Sequence, residues 1–170
     1  MTIIAYKDGI IAVDRCCIES KDLVTEVTKY HRYDGDESVK WLAFSGSLVE
    51  SYELTEWYKL KESDQLSWPK LGWPSFQSYD SYTSMIVADS NSIQEYEHRA
   101  YPIEHDITKP LAFGTGKAIA LGAMHAGASA VDAVKITCDL CSSCGIGIDV
   151  IDLQTNVVYR KILRNHVTSN

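Results

Sequence analysis

The sequence contains no run of basic residues, no long uninterrupted apolar stretch, no even set of cysteines and no internal repeat. Each absence removes a class of protein. With 16 Lys and Arg against 23 Asp and Glu the net charge is −7, so the surface repels phosphate and nucleic-acid binding is not expected. The longest mostly apolar segment, residues 111–133, is interrupted by Gly114, Gly116, Gly122 and Gly127 and by Lys117, His125 and Asp132. A spanning helix needs about 20 consecutive apolar residues, so no membrane segment is expected. At the N-terminus Lys7 and Asp8 follow directly on Met-Thr-Ile-Ile-Ala-Tyr, which leaves no room for the apolar core of a signal peptide. The 5 cysteines, with Cys16 and Cys17 adjacent, fit a reducing compartment better than a disulfide framework. A cytoplasmic protein is the expectation. The histidines lack the paired spacing of a zinc site, and no cofactor is implied.

What is present suffices for a single domain over residues 1–170, of which 45% are apolar. Residues 2–7 and 10–14 are apolar runs flanking Asp8-Gly9, a strong hairpin signal. Residues 23–33 alternate imperfectly up to the turn-forming Asp34-Gly35-Asp36-Glu37, and Val39–Phe44 reads as a strand entering Ser45-Gly46-Ser47. From Leu48 to Leu60 the apolar residues recur at three- and four-residue spacings, with Ser47 as N-cap and Glu50 three positions on, which predicts a helix. Residues 61–82 carry Trp68-Pro69, Trp73-Pro74 and many serines and read as a loop. Strands are expected at 83–88, 92–96 and 111–113, helices at 116–124 and 129–138, the second opened by Ser129 and Asp132, and a closing hairpin at 146–153 and 157–163. The order of elements suggests an α+β fold with sheets inside and helices outside. The Trp and Tyr residues between Tyr52 and Tyr101 are read as core plus a subunit contact, which the helix and loop from Tyr52 to Tyr82, with Trp57 and Leu60, are expected to make.

Thr2 is the first chemical candidate. Removal of Met1 would set its hydroxyl beside a free α-amine, whose pKa of about 7.7–8.0 leaves it partly neutral near pH 7. A threonine that uses its own amine as general base is a recognised activated nucleophile. Taken alone, Thr2 reads better as the ordinary residue after an initiator methionine. Cys138, Cys141 and Cys144 form C-x2-C-x2-C, which a metal or iron–sulfur centre could use. No fourth cysteine followed by proline lies nearby, and packed thiols are the expected reading.

The ordered set of segments resembles a known family. Thr2–Asp14 (TIIAYKDGIIAVD), Lys29 within VTKYHR, Phe44-Ser45-Gly46-Ser47, and AFGTGKAIALGAMHAGASAVDAVKITCDLCSSCGIGIDVI are similar to proteasome β-type subunits and to HslV-like bacterial peptidases. The similarity runs in order from residue 2 to about residue 153. No single motif is specific; the ordered set is. It implies a four-layer αββα sandwich of the N-terminal-nucleophile hydrolase type. It also implies a threonine peptidase acting on peptides or proteins, a homo-oligomeric ring with its sites facing inward, and an AAA+ unfoldase as a possible partner.

Carried over by resemblance, Thr2 is the nucleophile and Asp14 the acid that holds a lysine. Lys29 is that lysine, whose charge keeps the α-amine neutral. Gly46 supplies the oxyanion-hole N–H, and Thr115 stands where the family has a serine beside the amine. Each has a plainer reading: Asp14 as a turn cap, Lys29 as an edge-strand charge, Gly46 as a turn residue. The chain departs from the family's D-x-x-S-G-G at Cys141, Cys144 and Ile146, with Asp139 as an alternative source of the acid. These departures keep open a non-catalytic relative that uses the fold for assembly or binding.

Overall fold

The computed structural model describes residues 2–20, 23–35, 38–63, 83–97 and 99–162. In chain order the elements are β1 (Ile3–Lys7), β2 (Ile10–Asp14), β3 (Cys16–Ser20), β4 (Leu23–Glu26), β5 (Tyr30–Asp34), β6 (Val39–Ser45), α1 (Leu48–Ser63), β7 (Ser84–Ala88), β8 (Ile93–Glu97), β9 (Ile103–Glu104), β10 (Leu111–Gly114), α2 (Lys117–His125), α3 (Ala130–Leu140), β11 (Gly147–Asp152) and β12 (Val157–Ile162). The fold is mixed α/β, and its sheets are antiparallel. Two compact units divide the chain: Met1–Thr28 with Lys109–Asn170, and Lys29–Thr108. No helix among the described residues is long and apolar enough to cross a membrane.

The first unit is built on the sheet β10-β1-β2-β11-β12. Its opening hairpin is set by Asp8 and Gly9, whose φ values of 53° and 79° place both central turn residues in the left-handed region. A two-residue turn of that kind matches the natural twist of paired strands, and it fixes the register Lys7↔Ile10, Tyr6↔Ile11, Ala5↔Ala12 and Ile4↔Val13. Ile3, Ala5 and Ala12, with Ile148 and Val150 of β11, pack against Ala120 and Met124 of α2 and Ala130, Val131, Ala133 and Val134 of α3. Each large apolar side chain fully buried there contributes about 1.5–3 kcal/mol relative to exposure. The small residues of the two helices let backbone and sheet approach closely. A Cβ added at Gly116 would stand 2.3 Å from Thr137 Cγ2. Helix α3 opens as expected: Ser129 Oγ accepts from the Asp132 N–H at 3.1 Å and satisfies one otherwise orphaned donor.

The second unit is the sheet β5-β6-β7-β8-β9 with α1. Glu50 N–H reaches Ser47 Oγ at 3.4 Å, in line with the expected cap. Leu54, Trp57 and Tyr58, spaced i, i+3 and i+4, cluster with Leu42 and Phe44 of β6, Met85 and Val87 of β7 and Tyr96 of β8. The Trp57 and Tyr96 rings meet edge to face at 5.7 Å.

Four differences from the sequence reading stand out. The segment 23–33 is not one strand: β4 ends at Glu26 and β5 begins at Tyr30. Between them the Val27 N–H donates to Arg15 O, while Lys29 O accepts from the Phe44 N–H, so the backbone changes pairing partner there. Strand β3, paired with β4, was not expected, because Cys16–Ser20 carries no clear alternation. Trp57 is only 5% exposed and belongs to its own unit's core, which takes it out of the expected subunit contact; Leu60 is 51% exposed. The loop expected at 61–82 gives its first three residues to α1, and residues 64–82 lie outside the described residues.

Candidate active site

Thr2 leads into β1 and is 3% exposed. Two backbone contacts hold it. Its carbonyl accepts the Thr115 N–H at 2.9 Å, and the following N–H, that of Ile3, donates to Asp14 Oδ1 at 2.9 Å. Asp14 ends β2 opposite Ile148 and is fully buried. Its second oxygen accepts from the Cys16 N–H at 3.2 Å and from the Gly145 N–H at 3.4 Å. One carboxylate thus collects backbone donors from three segments of the first unit. Hydrogen bonds to an ionised acceptor are roughly twice as strong as neutral ones.

Thr115 lies exposed between Gly114, at φ 87°, and Gly116, which precedes α2. The positive φ of Gly114 turns the chain from β10 toward the helix, and Ile3↔Gly114 is the last registered pair of β1 and β10. Of the five residues singled out in the sequence, Thr2, Asp14 and Thr115 are therefore brought together in the first unit. Lys29 and Gly46 belong to the second. Lys29 is 8% exposed and is tied through its carbonyl to the N–H of Phe44. Gly46, two residues beyond Phe44, is exposed and has φ 125°, a conformation that side chains disfavour.

The turn after α3 adds groups whose contacts the sequence did not foretell. Ser143 is buried, and its Oγ lies 3.1 Å from Cys141 Sγ. Hydrogen bonds from the Ser143 side chain and backbone hold the Cys141 thiol below its ordinary range, against burial and the nearby Asp14 carboxylate. Gly145 and Ile146 both have positive φ, 148° and 65°, and the β-branched Ile146 is strained there. The spacing of Cys141, Ser143 and Gly145 was visible in the sequence, but the Gly145 N–H bond to Asp14 was not. Nearby, Arg15 is buried between Glu26 and Asp149, its Nη1 also donating to Thr28 Oγ1 at 3.2 Å. Cys144 is part of the first unit's core, and Cys138 and Cys141 pack against it. Among the described residues no group of three or more His, Cys, Asp and Glu side chains converges as a metal-binding set.

Comparison with solved structures shows a fold like that of HslV, BPH and Anbu proteins. The eukaryotic HslV of Trypanosoma brucei superposes with a TM-score of 0.65 at 18% identity, covering 88% of this chain and 96% of that one. Anbu, the ancestral β-subunit from Yersinia bercovieri, gives 0.68 at 11% identity, over 98% and 89%. The Thiobacillus denitrificans BPH in complex with epoxomicin gives 0.55 at 20% identity, over 96% and 99%. At these identities the likeness is one of fold. No family model matches the sequence, and no curated protein does.

Proposed function

We propose that this chain is a threonine peptidase of the proteasome-like type, with Thr2 as nucleophile once Met1 is removed. The observation that carries the reading is the fixation of the Thr2 backbone by the Thr115 N–H on one side and Asp14, through the Ile3 N–H, on the other. A nucleophile must be held within a fraction of an ångström of its attack position to be effective. In the proposed reaction the α-amine of Thr2 takes the hydroxyl proton, and the oxygen adds to the substrate amide carbonyl. By resemblance, the Gly46 N–H stabilises the resulting oxyanion. The C–N bond then breaks, the proton passes to the leaving amine, and water hydrolyses the ester left on Thr2. Lys29, by resemblance, keeps the α-amine neutral, and Thr115 orients it. The four-layer αββα architecture, a closed homo-oligomer in the cytoplasm and delivery of protein substrates by an unfoldase belong to the same proposal.

Intact mass of the purified protein reports whether Met1 is lost. Incubation with epoxomicin, which the Thiobacillus denitrificans protein binds, should then add one equivalent of the compound. Thr2→Ala should lose both this adduct and peptide hydrolysis while unfolding at the same temperature. Unchanged turnover in purified Thr2→Ala would refute the proposal. Full retention of Met1 with no hydrolysis would favour the non-catalytic relative, to which Cys141 and Cys144 at the family's polar positions already lend support.

A further inference from the structure

Cys141 and Cys144 close the turn that follows α3. Cys141 is the last cap of the helix, its N–H donating to Thr137 O at 2.8 Å, and the Cys144 N–H donates to Cys141 O at 3.1 Å. That bond defines a β-turn, whose end Cα atoms lie within about 7 Å of each other. A disulfide takes a Cα separation of about 4.4–6.8 Å, so the backbone is already compatible with one. The two thiols are in contact, with Cys144 Sγ donating to Cys141 Sγ at 3.8 Å. They differ in access: Cys141 is half-buried and Cys144 is 6% exposed. An oxidant from solvent therefore meets Cys141 first, and the inner sulfur is placed to resolve the product. Ser143, 3.1 Å from Cys141 Sγ, favours the thiolate, which is the reactive form.

We propose that Cys141 and Cys144 are a peroxide-sensitive dithiol that closes reversibly to a disulfide. The Cys141 thiolate attacks one oxygen of a hydroperoxide; the O–O bond breaks, and a sulfenic acid forms with release of hydroxide or alkoxide. Cys144 then loses its proton, its sulfur attacks that of Cys141, and the S–O bond breaks to release water as the S–S bond forms. Two electrons pass from the thiol pair to the peroxide. A small dithiol reverses the step by exchange.

Closure draws the sulfurs from 3.8 Å to about 2.05 Å. The residue after Cys144 is Gly145, whose N–H reaches Asp14 Oδ2 at 3.4 Å, the longest of that carboxylate's three backbone contacts described above. The other oxygen of Asp14 holds the N–H next to Thr2. Oxidation therefore acts on the Thr2 backbone through Gly145 and Asp14, a regulatory consequence that rests on Thr2 being the nucleophile. Formation of the disulfide does not.

The test uses the reduced full-length protein, graded hydrogen peroxide, blocking of remaining thiols with N-ethylmaleimide, and peptide mapping by mass spectrometry. The peptide holding Cys141 and Cys144 should lose the mass of two hydrogens and take no label, while Cys16, Cys17 and Cys138 are labelled. Dithiothreitol should restore labelling at both positions. In Cys144→Ser, dimedone should trap Cys141 as the sulfenic acid; in Cys141→Ser, Cys144 should stay reduced at the same dose. A link joining any other pair, or persistent labelling of both cysteines, overturns the proposal. Where the reduced protein hydrolyses peptide, oxidation should lower the rate and dithiothreitol restore it, whereas Cys144→Ser, which cannot form the disulfide, should keep its rate at the same peroxide dose. A disulfide that leaves that rate unchanged overturns the coupling to Thr2. A reduced protein with no hydrolysis counts against the nucleophile, and the thiol map still decides the pair.

Discussion

Asp14→Asn probes the centre of the first unit with almost no change of shape. The carboxylate accepts the Ile3 N–H on Oδ1 and the Cys16 and Gly145 N–H groups on Oδ2, and it is 0% exposed. An amide has only one acceptor oxygen, so Asn keeps either the Ile3 bond or the other two, and its NH2 then faces a donor. Each lost bond to a charged acceptor is worth about 1.5–3 kcal/mol, and an orphaned buried N–H costs a similar amount. The weaker geometry of the 3.4 Å contact reduces its share, which brings the expected loss to about 2–4 kcal/mol. For a chain of this size about 1 kcal/mol shifts the melting temperature by roughly 2–4 °C, so calorimetry should find Asp14→Asn lower by about 5–15 °C. The lowest-energy amide rotamer keeps its oxygen on Ile3, because that contact is the shortest. Amide hydrogen exchange should therefore accelerate most at Cys16 and Gly145. A variant that melts within about 1 °C of the parent, with exchange unchanged at all three sites, would refute the account of Asp14 as a shared acceptor.

Three other outcomes follow from the packing. Gly116→Ala should destabilise by about 1–3 kcal/mol through overpacking, since the new methyl meets Thr137 Cγ2; Thr137→Ser removes that methyl, keeps a hydroxyl for Ala133 O, and should recover much of the loss, whereas simple additivity in urea melts would contradict the contact. His31, edge-on to Phe44 and tilted against Tyr52, has a pKa lowered first by burial and then by Lys59. The folded state then binds fewer protons than the unfolded one, so stability falls as pH drops below about 6.5; His31→Phe should flatten that fall, and identical pH profiles of the urea midpoint would rule the effect out. Trp57→Glu should unfold the second unit, while Leu60→Glu should leave the fold intact and lower the mass seen by light scattering if α1 carries a subunit contact; a folded, unchanged assembly in both variants would defeat the assignment.

Local chemistry was legible where it controls local geometry. Asp8-Gly9, the Ser129 and Ser47 caps and the periodicity of α1 each encode their own structure within a few residues, and the expected elements follow them closely. The segment 23–33 misleads because its division depends on Arg15 and Phe44, partners remote in sequence that supply the bonds on either side of the break. Trp57 and Leu60 look alike as apolar helical positions, yet only tertiary packing decides that one is core and the other surface. At the candidate site, Thr2, Asp14 and Thr115 could be named from the ordered resemblance. The hold of Gly145 on the same carboxylate could not, because a backbone N–H leaves no trace in residue identity.

The strand order of the first unit also dictates when its parts can exist. Arg15 must wait for Asp149, 134 residues further on, and Asp14 for Gly145, 131 residues on. The second unit, by contrast, is one continuous stretch from Lys29 to Thr108. Contacts this distant carry the cost of closing a long loop before they return anything. On a ribosome, which delivers the chain from its N-terminus, the central unit can mature while the first hairpin remains without its neighbours. The surroundings of Thr2 are thus assembled only after the chain has been made as far as Gly145 and Asp149. A chain ending before Gly145 would carry Thr2 and lack the Gly145 contact to Asp14, so under the proposed function the positioning of that residue waits for the later segment.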